Sequence, residues 1–118
     1  MFVCRNKDYF LSAIFSGITI HLFKNDFTPD SNTLTADYEE VNVKGYSPIY
    51  ITYNDLIFER SSIYIRKEFP INRQAIVYGY YLDAGGNLLG GERFKKAPYK
   101  IYITGVIKLN IKVNINIK

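Results

Sequence analysis

The last stretch of the chain alternates apolar and polar residues without a break. Ile107, Leu109, Ile111, Val113, Ile115 and Ile117 fall on one side, and Lys108, Asn110, Lys112, Asn114, Asn116 and Lys118 on the other. Strand side chains point to alternate faces, so this period of two predicts a half-buried strand over 106–118. Its β-branched Ile and Val suit a pleated sheet. The same alternation marks Ile18 to Lys24, where Ile18, Ile20 and Leu22 oppose Thr19, His21 and Phe23. Ile49 to Tyr53, Leu56 to Arg60 and Ser62 to Arg66 read as strands, with Ile63 and Ile65 on one face and Tyr64 and Arg66 on the other. Phe69 to Asn72 reads as a connection. Ala75 to Leu82 is the most apolar segment and the expected sheet centre, and Gly79 within it suggests a bulge or a close approach by another chain.

Punctuation supports these assignments. Asp83-Ala-Gly-Gly-Asn87 is a hairpin turn signal, after which Leu88 to Phe94 returns antiparallel. Lys95-Lys-Ala-Pro98 breaks the pairing, and Tyr99 to Thr104 leads to Gly105, where a bend is expected. Unbent, Tyr99 to Lys118 would run ~65 Å at about 3.3 Å per residue, too long for a small domain to pair. Only Asn6 to Ser16 has helical spacing, with Asn6 as cap, Phe10, Leu11, Ile14 and Phe15 as one apolar stripe, and Gly17 as the end. Phe27 to Val41 is a long loop. Pro29, Asp30, Ser31 and Asn32 turn it, Thr35 is placed to cap one helical turn, and Tyr38 is expected to pack inward. A loop of this length is functional or pinned by its own aromatics. The predicted fold is all-β, a mainly antiparallel sandwich of six to eight strands with one short N-terminal helix, in a single domain over 1–118.

Composition adds little chemistry. The 118 residues carry 47% hydrophobic and 22% charged side chains, ordinary for a globular protein, and Tyr (11) and Phe (8) stand without Trp. Such tyrosine content suits sheets and wet interfaces. The net charge of +4 comes from scattered lysines with no dense basic block, which reads as a solvated sheet face; nucleic acid is not the expected partner. The start lacks the basic-then-apolar pattern of a signal peptide, and no apolar run is long enough for a membrane helix. The single cysteine, Cys4, excludes an internal disulfide and reads as a small apolar residue.

No catalytic set, cofactor site or metal site is expected. His21 is the only histidine and lies on the face opposite the expected core, with no carboxylate pattern near it in sequence. The acidic residues Asp26, Asp30, Asp37, Glu39 and Glu40 lack calcium-loop spacing and read as loop solvation. Glu59 and Glu68 suggest no acid–base geometry. Gly85-Gly86 and Gly90-Gly91 are hairpin glycines, not a phosphate loop. Tyr78, Tyr80 and Tyr81 with Arg93 and Lys95 offer a possible stacking platform for sugars or bases, against a plain packing face.

Two stretches carry a resemblance. One is His21 to Val41, with Leu22-Phe-Lys-Asn-Asp-Phe-Thr-Pro29 and the acidic Ala36-Asp-Tyr-Glu-Glu40, leading to Gly45-Tyr46. The other is Tyr78-Gly-Tyr-Tyr-Leu-Asp-Ala-Gly-Gly-Asn-Leu-Leu-Gly-Gly-Glu-Arg-Phe94. Together they resemble a family of small structural proteins of tailed bacteriophages. The chain departs from the family pattern between Tyr53 and Pro70 and in its Lys/Asn/Ile-rich tail. The resemblance implies a virion component, assembled in the host cytoplasm, that works by protein–protein contact as a homo-oligomer or on a lattice of capsid or tail subunits. Decoration of the capsid is the first reading and a tail, neck or fibre-base position the second; a glycan-binding β module is the alternative of another class. Phe27, Pro29, Tyr38, Tyr46, Tyr78, Tyr80, Tyr81 and Arg93 are the expected partner contacts, and no membrane is involved.

Overall fold

The computed structural model describes residues 3–4, 12–13, 16–59 and 62–114. The fold is mainly antiparallel β. Its strands are β1 (Val3–Cys4), β2 (Ile18–Phe23), β3 (Ile49–Ile51), β4 (Ile57–Glu59), β5 (Ser62–Ile71), β6 (Ala75–Val77), β7 (Gly79–Ala84), β8 (Asn87–Arg93), β9 (Tyr99–Ile101) and β10 (Gly105–Asn114). They form a five-stranded sheet, β1-β8-β7-β2-β3, a three-stranded sheet, β10-β5-β4, and the pair β6-β9.

One long folded ribbon builds most of this. The chain runs out along β5, β6 and β7, turns, and returns along β8, β9 and β10. The turn is Gly85-Gly86, both at positive φ (58° and 88°), which only glycine adopts without steric cost. The Asp83 carboxylate accepts from the Gly86 N–H at 2.9 Å. The ribbon breaks at two places. Asn72–Gln74 and Tyr102–Thr104 interrupt it symmetrically, so pairing resumes in the same register, Ile71 opposite Gly105 and Ala75 opposite Ile101. Lys95–Pro98 then loops out from one strand only, between the pairs Val77–Tyr99 and Gly79–Arg93. These breaks divide the ribbon between the two larger sheets, so that both can face one core.

That core draws Ile18, Ile20, Leu22 and Ile51 from the five-stranded sheet, and Ile63, Ile65, Phe69, Ile107, Leu109 and Ile111 from the three-stranded sheet. The alternation of the tail is realised in full over the described residues: Ile107, Leu109, Ile111 and Val113 are buried, and Lys108, Asn110 and Lys112 are exposed. β7, with Tyr80 and Leu82 in the core, is the middle strand of its sheet. The expected central strand is therefore present but shorter, because the chain breaks at Tyr78.

Three expectations need correction. Phe69-Pro70-Ile71 is strand, not connection. β4 pairs only with Ser62 to Tyr64, so at Pro70 the strand has a partner on one side alone, where a missing N–H is tolerated. The register irregularity lies between Leu82 and Asp83 rather than at Gly79. A Cβ at Gly79 would run into the Glu92 carbonyl and the Phe23 ring, so the crowding there comes from this chain's own residues. The helical turn in the long loop, Thr35–Asp37, starts one residue earlier than expected, with Leu34 as its N-cap and the Asp37 carboxylate accepting from the Leu34 N–H at 2.8 Å. The helix expected over 6–16 lies largely outside the described residues. Of it, Ser12 and Ala13 are helical, and the Gly17 N–H donates to the Ala13 carbonyl at 3.1 Å.

Candidate functional site

The outer face of the five-stranded sheet is not wet. The loop after β2 leaves the sheet at Lys24, travels over it, and returns beside the strand it left. The Lys24 N–H donates to the Glu39 carbonyl at 2.8 Å and the Val41 N–H to the Leu22 carbonyl at 2.9 Å. The Asn25 side chain ties both ends, donating to the Asp37 carbonyl and accepting from the Glu39 N–H. Beneath the loop lies a second apolar cluster of Phe23, Tyr38, Tyr81 and Leu88, flanked by Phe27 and Tyr78. Tyr38 stacks on Tyr81 with centroids 4.2 Å apart, and Tyr81 stacks on His21 at 4.6 Å. Gly91 makes this possible, since a Cβ there would collide with the Tyr38 ring and hydroxyl.

His21 is the centre of a polar network at the edge of that cluster. Its Nδ1 lies 2.7 Å from Glu40 Oε2 and its Nε2 2.5 Å from Asp83 Oδ1. Each ring nitrogen therefore has a carboxylate oxygen within hydrogen-bond distance. The same Glu40 oxygen accepts from the Tyr46 hydroxyl at 2.7 Å, and that hydroxyl accepts from the Leu22 N–H at 3.0 Å. An imidazole between two carboxylates thus joins the loop (Glu40), strand β2 and strand β7 (Asp83). No carboxylate neighbours His21 in sequence, because Glu40 reaches it through loop closure and Asp83 through strand pairing.

The chemistry available is that of a clasp. Both ring nitrogens are engaged by carboxylates of the chain itself, and Tyr81 is stacked between His21 and Tyr38. Among the described residues no group of three or more His, Cys, Asp or Glu is arranged to hold a metal ion.

Each residue expected to meet a partner takes part in this closure or in the core. Tyr80 and Tyr81 are buried, and Tyr80 donates to Glu92 at 2.8 Å. Tyr38 and Pro29 are buried, and Phe27 and Tyr46 half-buried. Arg93 pairs with Asp26 at 2.5 Å and lies over the Tyr78 ring at 5.1 Å. Tyr80 lies in the core between the sheets with Tyr46 packed against it, and Tyr38, Tyr81, Phe27 and Tyr78 lie in the cluster under the loop. Their spacing signalled aromatic packing, and the roof over the sheet decided with what they pack.

Exposed apolar side chains include a group about the symmetric break of the ribbon, as well as Tyr50, Tyr53, Phe58 and Leu34. At the break Tyr102 is 71% exposed, Ile103 79%, Val106 50% and Ile76 44%. Directly opposed residues share a face, so Ile76 lies with Lys100 and Val106 with Pro70. Arg73, Lys100 and Lys108, close to them in sequence, are exposed.

Four phenols are held above the ordinary tyrosine range. Burial is the main cause at Tyr38, Tyr46, Tyr80 and Tyr81, reinforced by the Glu40 hydrogen bond at Tyr46 and by the Glu92 and Glu40 charges at Tyr80 and Tyr81. A phenol whose pKa rises on folding stabilises the fold fully below the unfolded value of about 10 and loses that contribution as pH climbs past it. We therefore expect stability to fall above about pH 10, with these four phenols ionising only as the protein unfolds. A phenolate absorbance titration checks this: the native protein should show a stepwise gain coincident with loss of structure. A smooth titration of all tyrosines in the folded state would refute it.

Fold and site together define a β protein with one roofed sheet face and exposed apolar side chains about one break of its ribbon. Neither a family model, nor a curated protein, nor a solved structure matches the chain. Among the described residues no helix is long and apolar enough to cross a membrane.

Proposed function

We propose that this chain is a bacteriophage virion structural protein of β-sandwich form that decorates the capsid surface through protein–protein contacts. The observation that carries the proposal is the exposure of Ile76, Tyr102, Ile103 and Val106 about one break of the ribbon. Exposed apolar and aromatic side chains, here close in sequence to Arg73, Lys100 and Lys108, are what protein interfaces use. The resemblance adds support. Its two stretches, 21–48 and 78–94, pack against each other through Tyr38–Tyr81, Glu40–His21–Asp83 and Asp26–Arg93. Residues that co-occur in a family for a structural reason would be expected to meet in this way.

Binding to a repeated lattice needs only modest affinity per site, because neighbouring contacts add through avidity. Mass spectrometry of purified particles should find the protein in mature virions, and imaging should place it at a copy number matching the capsid lattice. Absence from particles would overturn the proposal, and a copy number following tail symmetry would move the protein to the tail or neck. Tyr102→Ser with Ile103→Ser should sharply reduce the copies bound per particle while leaving the unfolding midpoint nearly unchanged, since both side chains are already in water.

A further inference from the structure

Strand β10 pairs with β5 along its whole length and, among the described residues, with nothing on its other side. Among the described residues no backbone hydrogen bond from a turn or loop reaches residues 105–114. Such an edge presents a row of free N–H and C=O groups, and proteins usually shorten, bulge or cover edges of this length. Here the edge is the longest strand of its sheet, together with β5, and it contains neither proline nor a register shift.

We propose that the open edge of β10 pairs antiparallel with β10 of a second copy, about a two-fold axis through Leu109. The pattern of the strand favours an axis through a core-facing residue, and an axis through Leu109 pairs the longest stretch of the described edge, residues 105–113. In an antiparallel pair, residues directly opposite share a face, so core-facing residues must oppose core-facing ones. An axis through Asn110 would set Lys108 against Lys112 twice, a like-charge contact that disfavours pairing. An axis through Leu109 sets Lys108 against Asn110, Lys112 against Val106, and Ile107 against Ile111, with Leu109 on Leu109. It also pairs Gly105 to Val113 of both copies, so nearly the whole described edge is satisfied.

The result joins two three-stranded sheets into one of six strands and extends the apolar inner face across the axis. The contact is isologous, so it closes on itself and leaves no further β10 edge for uncontrolled growth. The lysines thereby oppose axes through Lys108, Asn110 and Lys112 and permit this one. The inference concerns the isolated protein and stands apart from the capsid proposal, since absence from virions would leave it untouched and a monomer in solution would leave the capsid reading untouched.

Asn110 supplies the test. It is exposed, and its carboxamide oxygen accepts from Arg66 Nε at 3.3 Å. In the proposed dimer it faces the partner copy's Lys108 at two symmetric places. Sedimentation equilibrium over a range of concentrations should show a reversible dimer. Asn110→Lys should weaken it and Asn110→Glu should tighten it, each by roughly three- to tenfold. Urea unfolding of both variants guards against a folding defect, and Asn110→Glu retains an acceptor for Arg66. A chain that stays monomeric in wild-type and Asn110→Glu forms at high concentration overturns the proposal. So does a dimer whose dissociation constant neither substitution moves.

Discussion

Ending the chain after Gly105 abolishes cooperative folding. The deletion removes β10, which pairs with β5 from Gly105–Ile71 to Asn114–Ser62. It also removes Ile107, Leu109, Ile111 and Val113 from the core, all 6% exposed or less. Burial of one such side chain contributes about 1.5–3 kcal/mol. Four of them therefore contribute roughly 6–12 kcal/mol as an upper estimate, comparable to the 5–15 kcal/mol by which domains are typically stable. The loss also uncovers Ile63, Ile65 and Phe69 on β5. The truncated chain should show no sigmoidal urea transition and no near-ultraviolet circular dichroism. A soluble truncation with native spectra that unfolds cooperatively would show that β10 serves an interface and not the core.

Replacing Tyr38 by alanine opens the roof over the five-stranded sheet. The ring is 7% exposed and contacts Tyr81, Phe23 and Phe27, with centroids 4.2, 5.2 and 5.2 Å away. Removing a buried aromatic costs about 3–5 kcal/mol, and here nothing on the loop can fill the space. The expected result is a urea midpoint lowered to match and rapid protease cleavage between Thr28 and Ala36. Tyr38→Phe gives the opposite outcome. The hydroxyl is buried and has no hydrogen-bond partner among the described residues. Its removal keeps the ring contacts and relieves a desolvated donor, so stability should be unchanged or higher by up to about 1 kcal/mol. Equal losses in the two variants would mean that the hydroxyl, not the ring, holds the loop.

Much of the sheet was legible because period-two alternation is a local signal. The β2 alternation and the tail as far as Val113 were read correctly residue by residue, as was the Gly85-Gly86 turn, where backbone conformation demands glycine. The break at Lys95–Pro98 was visible from composition. The strand through Pro70 was not, because proline argues against strand unless one knows that a neighbouring strand has already ended. The candidate site was legible only in its members. Tyr38, Tyr78, Tyr80, Tyr81 and Arg93 were singled out as partner contacts; in the fold Tyr80 lies in the core between the sheets, and Tyr38, Tyr78 and Tyr81 lie in the cluster under the loop. His21 read as an isolated surface histidine, and it lies between two carboxylates.

What the sequence determined by itself is which side chains share a face, since alternation along a strand is a property of the backbone alone. It could not determine what covers each face. One face of β2 meets the opposing sheet and the other meets the loop that follows it, and both are apolar enough to be buried. Contacts between residues 19 and 62 positions apart, His21 with Glu40 and with Asp83, exist only once strand order and loop closure are set. The tertiary structure also decided that the alternating tail is an edge. A strand with one wet face reads the same in the middle of a sheet as at its border, and only the absence of a second neighbour distinguishes them.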